Sequence, residues 1–219
     1  MRRLCVLIIL ASALSACGRG HSSPAPSVPE TNTSLPSATG KAATTASWDR
    51  AAGKGKYGEL LIIPSEDEVT QPLGAPSCMG GEKDYSFMSD YYVVFKNGEG
   101  EEQEVGYWQD ATIVSSNTEP REIQKLDWDG ADLFYFQPVK NTCRADAIYF
   151  YLLGEKGAYQ VSFRVGDNDY DQFSQVPQVE PYIDKGKLVL ESTEGDKTYR
   201  YKFSLNGKTF ILEQKEETA

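Results

Sequence analysis

Strict alternation of apolar and polar residues runs through the C-terminal third of the chain. Tyr199, Tyr201, Phe203 and Leu205 alternate with Arg200, Lys202, Ser204 and Asn206, the two-residue period of a strand with one buried face. Asn206-Gly207 follows as a two-residue hairpin turn. That turn predicts Phe203 opposite Phe210 and Tyr201 opposite Leu212, with Arg200 meeting Glu213 on the other face. The preceding strand, 187–192, joins through Glu194-Gly195, a register that sets Leu190 opposite Tyr199 and Leu188 opposite Tyr201. Three strands then share one apolar face.

Three further hairpins follow from the same pattern. Strand 146–153 turns through Gly154-Glu155-Lys156-Gly157 into strand 158–165, pairing Leu152 with Tyr159, Phe150 with Val161 and Ile148 with Phe163. The first of these strands is apolar on both faces, which predicts a central, buried position. Strand 122–128 turns at Asp129-Gly130 into strand 131–137. Strand 91–96 turns at Asn97-Gly98 through a loop of two or four residues, and 60–63 is one more apolar strand. About ten strands and no helical stripe predict an all-β fold, a single antiparallel sandwich or barrel over residues 54–219. A domain of this length with no visible internal repeat is short for a complete propeller.

The N-terminus is patterned differently. Arg2 and Arg3 lead into an apolar run that is too short to span a bilayer, and small residues then precede a cysteine. The ending Leu14-Ser15-Ala16-Cys17 resembles the lipobox of bacterial lipoproteins. The resemblance implies that residues 1–16 are a cleaved signal peptide and that Cys17 carries the lipid, palmitate included. It also implies anchoring to the outer face of the cytoplasmic membrane or to the outer membrane. Gly18 follows where inner-membrane retention would want Asp. From 18 to 47, 23 of 30 residues are Gly, Ser, Thr, Pro or Ala, so 17–53 is expected to be a disordered tether with almost nothing to bury.

The net charge of −10 excludes nucleic acid and electrostatic adhesion to anionic lipid as partners. The chain's one histidine, His21, lies in the tether, which removes His-based triads and His-ligated zinc or copper from the domain. Cys78 and Cys143 remain after signal cleavage, in a compartment where disulfides persist, and a bond between them is expected. No cofactor is expected, with one exception. Asp167, Asp169 and Asp171 alternate in a short loop after strand 158–165 and offer oxygen ligands of the kind calcium takes. The same residues also read as a solvated acidic turn. Trp128, sharing a face with Leu126 and Leu133, reads as core, and Trp108 reads either way.

These features describe a lipid-anchored envelope protein with a non-catalytic domain that binds a ligand, an envelope protein or a glycan. Two alternatives stand beside it: a glycan hydrolase working with carboxylates, and a structural or stress-resistance surface lipoprotein. Cys17→Ala is expected to move the protein from the membrane to the soluble fraction while leaving the domain folded. Fractionation of cells expressing each form checks it, and unchanged membrane association would remove the lipoprotein assignment.

Overall fold

Strands occupy most of residues 49–140, 143–177 and 179–218, the residues that the computed structural model describes, and no helix occurs among them. The segment expected to be a signal peptide, Cys17 and most of the expected tether lie outside this set. The first sheet holds β1 (Ala51–Lys54), β2 (Gly58–Pro64), β3 (Val69–Pro72), β4 (Tyr85–Asn97), β5 (Glu102–Ser115) and β6 (Arg121–Glu122). Its spine is β4, which turns Phe87, Tyr91, Val93 and Phe95 inward. One edge of β4 is covered by β2 and β3 in succession and the other by β5 along its length. The pattern of apolar residues places the domain's start at 54, but β1 begins at Ala51, which is fully buried. Ala-Ala-Gly is too small to register as an apolar strand, and smallness is what the site requires. A Cβ on Gly53 would come within 2.9 Å of Ile123 and 2.8 Å of Phe134.

The second sheet is built from β7 (Gln124–Trp128), β8 (Ala131–Phe136), β9 (Asp146–Gly154), β10 (Gly157–Val165), β11 (Asn168–Tyr170), β12 (Phe173–Gln175), β13 (Tyr182–Asp184), β14 (Lys187–Glu194), β15 (Lys197–Asn206) and β16 (Thr209–Glu217). Eight of them run in the order β13-β14-β15-β16-β10-β9-β8-β7, with β11 added to β10 and β12 to β9. The end strands β13 and β7 meet, so the eight strands close almost completely into a barrel. The architecture is all-β, as the periodicity predicts. Sixteen strands replace the expected ten because short pieces such as β3, β11, β12 and β13 carry no alternation long enough to read. Two pairings run parallel rather than antiparallel, β1 with β6 and β10 with β16.

Two cores lie on opposite faces of β8 and β9. Leu133, Tyr135, Ile148, Phe150 and Leu152 point into the barrel, where they join Val161, Phe163, Leu188, Leu190, Tyr201, Phe203 and Phe210. Phe134, Phe136, Tyr151 and Leu153 point the other way, against the inward face of the first sheet. The strand expected to be central because it is apolar on both faces is therefore the shared wall. Inside the barrel Phe163 is the aromatic hub, with ring centroids 5.7 Å from Phe150, 5.2 Å from Phe203 and 5.5 Å from Phe210. Trp128 packs edge-on against Phe210, in keeping with its reading as core.

Register follows the predicted turns at Asp129-Gly130, where glycine takes the second loop position, and at Glu155-Lys156, which Gly154 and Gly157 flank as a pair, and departs where glycine takes the first loop position. The Asp129-Gly130 and 154–157 connections pair as expected, Trp128 with Ala131, Leu152 with Tyr159 and Phe150 with Val161. Beyond Phe150 the strands part, and Ile148 pairs with Phe173 of β12 instead of Phe163. Between β4 and β5 four residues, 98–101, lie outside the strands, but the ladder pairs Lys96 with Glu102, a register that neither the two- nor the four-residue loop after Lys96 gives. In the C-terminal hairpins Gly195 and Gly207 open the turn, at φ of 61° and 63°. Leu190 therefore faces Tyr201, Leu188 faces Phe203, and Phe203 faces Leu212. A two-residue slip keeps each side chain on its expected face, so the apolar stripe survives the error. A bulge then leaves Glu213 out of the ladder, and Arg200 pairs with Glu191, not Glu213.

Cys78 and Cys143 are bonded, with Cα atoms 5.1 Å apart, and join the β3–β4 connection to the β8–β9 connection. The bond closes a loop of 65 residues, worth about 4 kcal/mol on the chain-entropy relation. Cys78→Ser with Cys143→Ser should lower Tm by on the order of 10 °C relative to the oxidised protein. Calorimetry of the variant, and of wild type with and without reductant, checks this; a variant melting with the oxidised wild type would remove the bond's stabilising role.

Candidate functional site

Among the described residues no strand pairs with the outer edge of β5, and where it faces β9, β10 and β11 a cleft of about 630 Å³ opens. A β-bulge creates its floor. Tyr91 pairs with Trp108 and Ser89 with Ala111, so Gln109 and Asp110 both oppose Asp90. Asp110 adopts a left-handed φ of 47°, held by its N–H donating to Asp90 Oδ1 at 2.7 Å. The extra residue reverses the alternation that Ile113 and Ala111 set up and turns Trp108 inward, beneath the cleft. There its ring lies 4.6 Å from that of Tyr149 and stacks on Phe136 at 6.0 Å.

Tyr107 and Tyr170 form the rim, 47% and 48% exposed. Tyr107 packs its ring 5.2 Å from Tyr92 and donates its hydroxyl proton to Asp90. That bond is the first cause of two opposite shifts: the phenol is pushed up to about 12 and the carboxyl is held below its usual range. Asp90 thereby fixes both the bulge and one rim side chain. Within the cleft, Asp146 and Asp171 approach from β9 and from the end of β11, and Gln109, Gln160 and Gln172 add amides. Gln160 Nε2 donates to the Asp171 carbonyl at 2.8 Å, which fixes the segment carrying that carboxylate. The Tyr149 phenol is raised by its burial first and then by the charges of Asp146 and Asp171. Both carboxylates therefore act on the same small volume. Among the described residues that line the cleft, none is basic.

Directly behind the floor lies a second oddity. The Trp108 indole N–H and the Tyr151 hydroxyl are both buried without a hydrogen-bond partner. Burial drives the Tyr151 phenol well above its ordinary range, with only a small opposing effect from the neighbouring indole N–H. The backbone approaches closely here, since a Cβ on Gly106 would lie 3.4 Å from the Tyr151 hydroxyl and 3.0 Å from Gln160 Oε1.

The three aspartates, read either as a calcium loop or as a solvated acidic turn, are not brought together. Asp167 is at the tip of the β10–β11 turn, beside Gly166. Asp169 on β11 is engaged by Arg164 through two hydrogen bonds of 2.6 and 2.9 Å. Asp171 turns into the cleft. No metal-sized group of three His, Cys, Asp or Glu side chains occurs among the described residues. The loop expectation fails because it continues as a strand, and Arg164 across the ladder already supplies Asp169 with a cation. Asp171 matters, though for a different reason from the one its spacing suggested. Tyr107, Asp146, Tyr149, Gln160 and Tyr170 carry no sequence signal as site residues. Only the exposure of two tyrosines within otherwise regular strands could have pointed to them.

A second cleft, about 520 Å³, opens where the disulfide-linked loops meet Arg121. Arg121 spends its protons on backbone, donating to the carbonyls of Val114, Gln137 and Pro138 at 2.7–3.0 Å, above the Phe136 ring. Burial lowers it to about 10. Its work is to tie β5, β6 and the end of β8 together.

No known protein family matches the chain, and no curated protein or solved structure is significantly similar to it. The cleft's own chemistry therefore has to carry the functional argument.

Tyr151→Phe removes a buried hydroxyl that makes no hydrogen bond and should stabilise the fold by about 1 kcal/mol. Urea unfolding checks it, and a clear loss of stability would show that the hydroxyl has a partner after all.

Proposed function

We propose that this chain is a lipid-anchored envelope protein whose all-β domain captures a small extracellular ligand, or one exposed segment of a larger one, in the β5–β9–β11 cleft. The observation that carries the reading is the convergence there of four aromatic side chains, two carboxylates and three glutamine amides on about 630 Å³. A volume in the range of roughly 300–1,000 Å³, mixed apolar walls and a few directed polar groups are what ligand sites share. The lipobox and the Ser/Thr/Pro/Ala-rich segment fit a domain held at a distance from a membrane surface, through lipid at Cys17. The domain lacks histidine, so binding rather than acid–base turnover is the simpler use of the site.

A second reading has one specific observation behind it. Asp146 and Asp171 both line the cleft, and a pair of carboxylates flanking a bound glycan is the equipment of a glycosidase. The two readings separate experimentally. In the binding reading, fractions of envelope polysaccharide and of small extracellular solutes are screened for a rise in Tm and a change in tryptophan fluorescence. A binding fraction should act on wild type and lose at least half of its effect on Tyr170→Ala and Gln160→Ala. A binding fraction that acts on the variants as on wild type would remove the cleft from the proposal. Release of reducing sugar by wild type that disappears in Asp146→Asn or Asp171→Asn would replace binding with hydrolysis.

A further inference from the structure

Accepting the cleft as a ligand site, we infer that its ligand presents an alkylammonium cation, seated among the rings of Tyr107, Tyr149 and Tyr170 and facing the carboxylates of Asp146 and Asp171.

Three observations converge on this. The first is charge: the ionisable side chains lining the cleft, phenols aside, are two aspartates, on a chain of net charge −10. A neutral ligand covering them would strip water from two carboxylates and return no charge, and an anionic one would add repulsion. A cation compensates both. The Tyr149 phenol, raised by burial first, is raised further by both carboxylates, which places it within their field. The second is the character of the rings. Trp108, the largest of them, is buried and packed against Phe136 and Tyr149, so it offers no open platform on which a sugar ring could stack. The half-exposed tyrosines present π faces, which attract cations most strongly where water is partly excluded.

The third is that the chain already solves this recognition problem internally. On β15–β16 the Lys215 ammonium sits 4.3 Å from the Tyr199 ring centre and 5.5 Å from that of Tyr201, with Glu194 2.6 Å away. Two tyrosine rings and one carboxylate hold a lysine head group there. The cleft assembles the same elements, three tyrosines and two carboxylates, with no lysine of its own to fill them.

Choline is the probe, and 3,3-dimethylbutan-1-ol, its uncharged isostere, is the control. Isothermal titration of the full protein, solubilised in detergent with the disulfide intact, should show choline binding in the millimolar range, with the alcohol about tenfold weaker. Asp146→Asn and Asp171→Asn should each weaken choline severalfold and together by about tenfold or more. Tyr170→Phe, which keeps the π face, should bind like wild type, and Tyr170→Ala should not. Bound choline should also lower the Tyr149 phenol's titration midpoint, read by absorbance and absent in Tyr149→Phe. Circular dichroism and Tm establish that each variant is folded. Equal affinity for choline and the alcohol, or no loss in the doubly substituted variant, would overturn the inference. A neutral oligosaccharide that binds in a Tyr170-dependent way while choline does not would also overturn it and leave the binding-site reading standing. If neither choline nor any envelope fraction binds, both fall.

Discussion

Everything in this fold is arranged around β8 and β9, two adjacent strands that bury both of their faces. A strand in a sheet with one wet face needs only one packed layer, whereas a strand apolar on both faces needs two. The chain provides them as the closed side of a barrel and as a six-stranded sheet. Phe134, Phe136, Tyr151 and Leu153 meet the sheet while Leu133, Tyr135, Phe150 and Leu152 fill the barrel. The two cores are thus one mechanical unit, and a change of volume in either face of β9 is felt across both.

The barrel closes by unlike means at its two seams. The parallel pairing of β10 with β16 places Phe163 beside Phe210, and that contact joins the C-terminal hairpins to the central wall. On the other side β12 adds to β9 where β10 departs from it, and the buried side chain of Gln175 finishes the job. Its amide accepts from the Glu191 N–H at 3.0 Å and donates to the Val179 carbonyl, while the backbone carbonyl of Gln175 accepts from the Gln137 side-chain amide. A buried amide with its bonds made tends to fix one arrangement rather than add much net stability. The disulfide acts on the same neighbourhood from outside by holding the β8–β9 connection to the first sheet.

The cleft is a consequence of how the first sheet meets the barrel. At one end the Gln103 side chain stands in for a missing strand: its amide donates to the Ala158 carbonyl at 2.9 Å and accepts from the Ala158 N–H at 3.2 Å. Further along β5 the bulge at Asp110 turns the edge away, and the strand is next tied across where the Val114 N–H donates to the Pro138 carbonyl at 3.0 Å. The gap is lined by whatever side chains the two sheets present to it, which here are tyrosines, glutamines and aspartates. Because its walls belong to well-packed strands, the cleft is largely preformed, which would keep the ordering cost of the proposed ligand capture low.

The sequence by itself determined the class of fold, the buried central strand, most hairpins and the cysteine pair. Those features follow from period-two alternation, from glycine in turns and, for the cysteine pair, from the export that the lipobox resemblance implies. It misplaced the C-terminal registers by two residues, since Asn-Gly and Glu-Gly do not say which loop position the glycine takes. The alternation nevertheless kept the side chains on their proper faces as far as the bulge between Lys202 and Phe203. It read Asp167, Asp169 and Asp171 as one group because they are neighbours in sequence, whereas pairing with β10 gives Asp169 to Arg164 and sends Asp171 elsewhere. Only the tertiary structure could make the cleft. Its residues come from β5, β9, β10 and β11, and the inward turn of Trp108 depends on one bulged residue. A shift of one position in a ladder reverses every face beyond it, and nothing local to the sequence around Trp108 announces that shift.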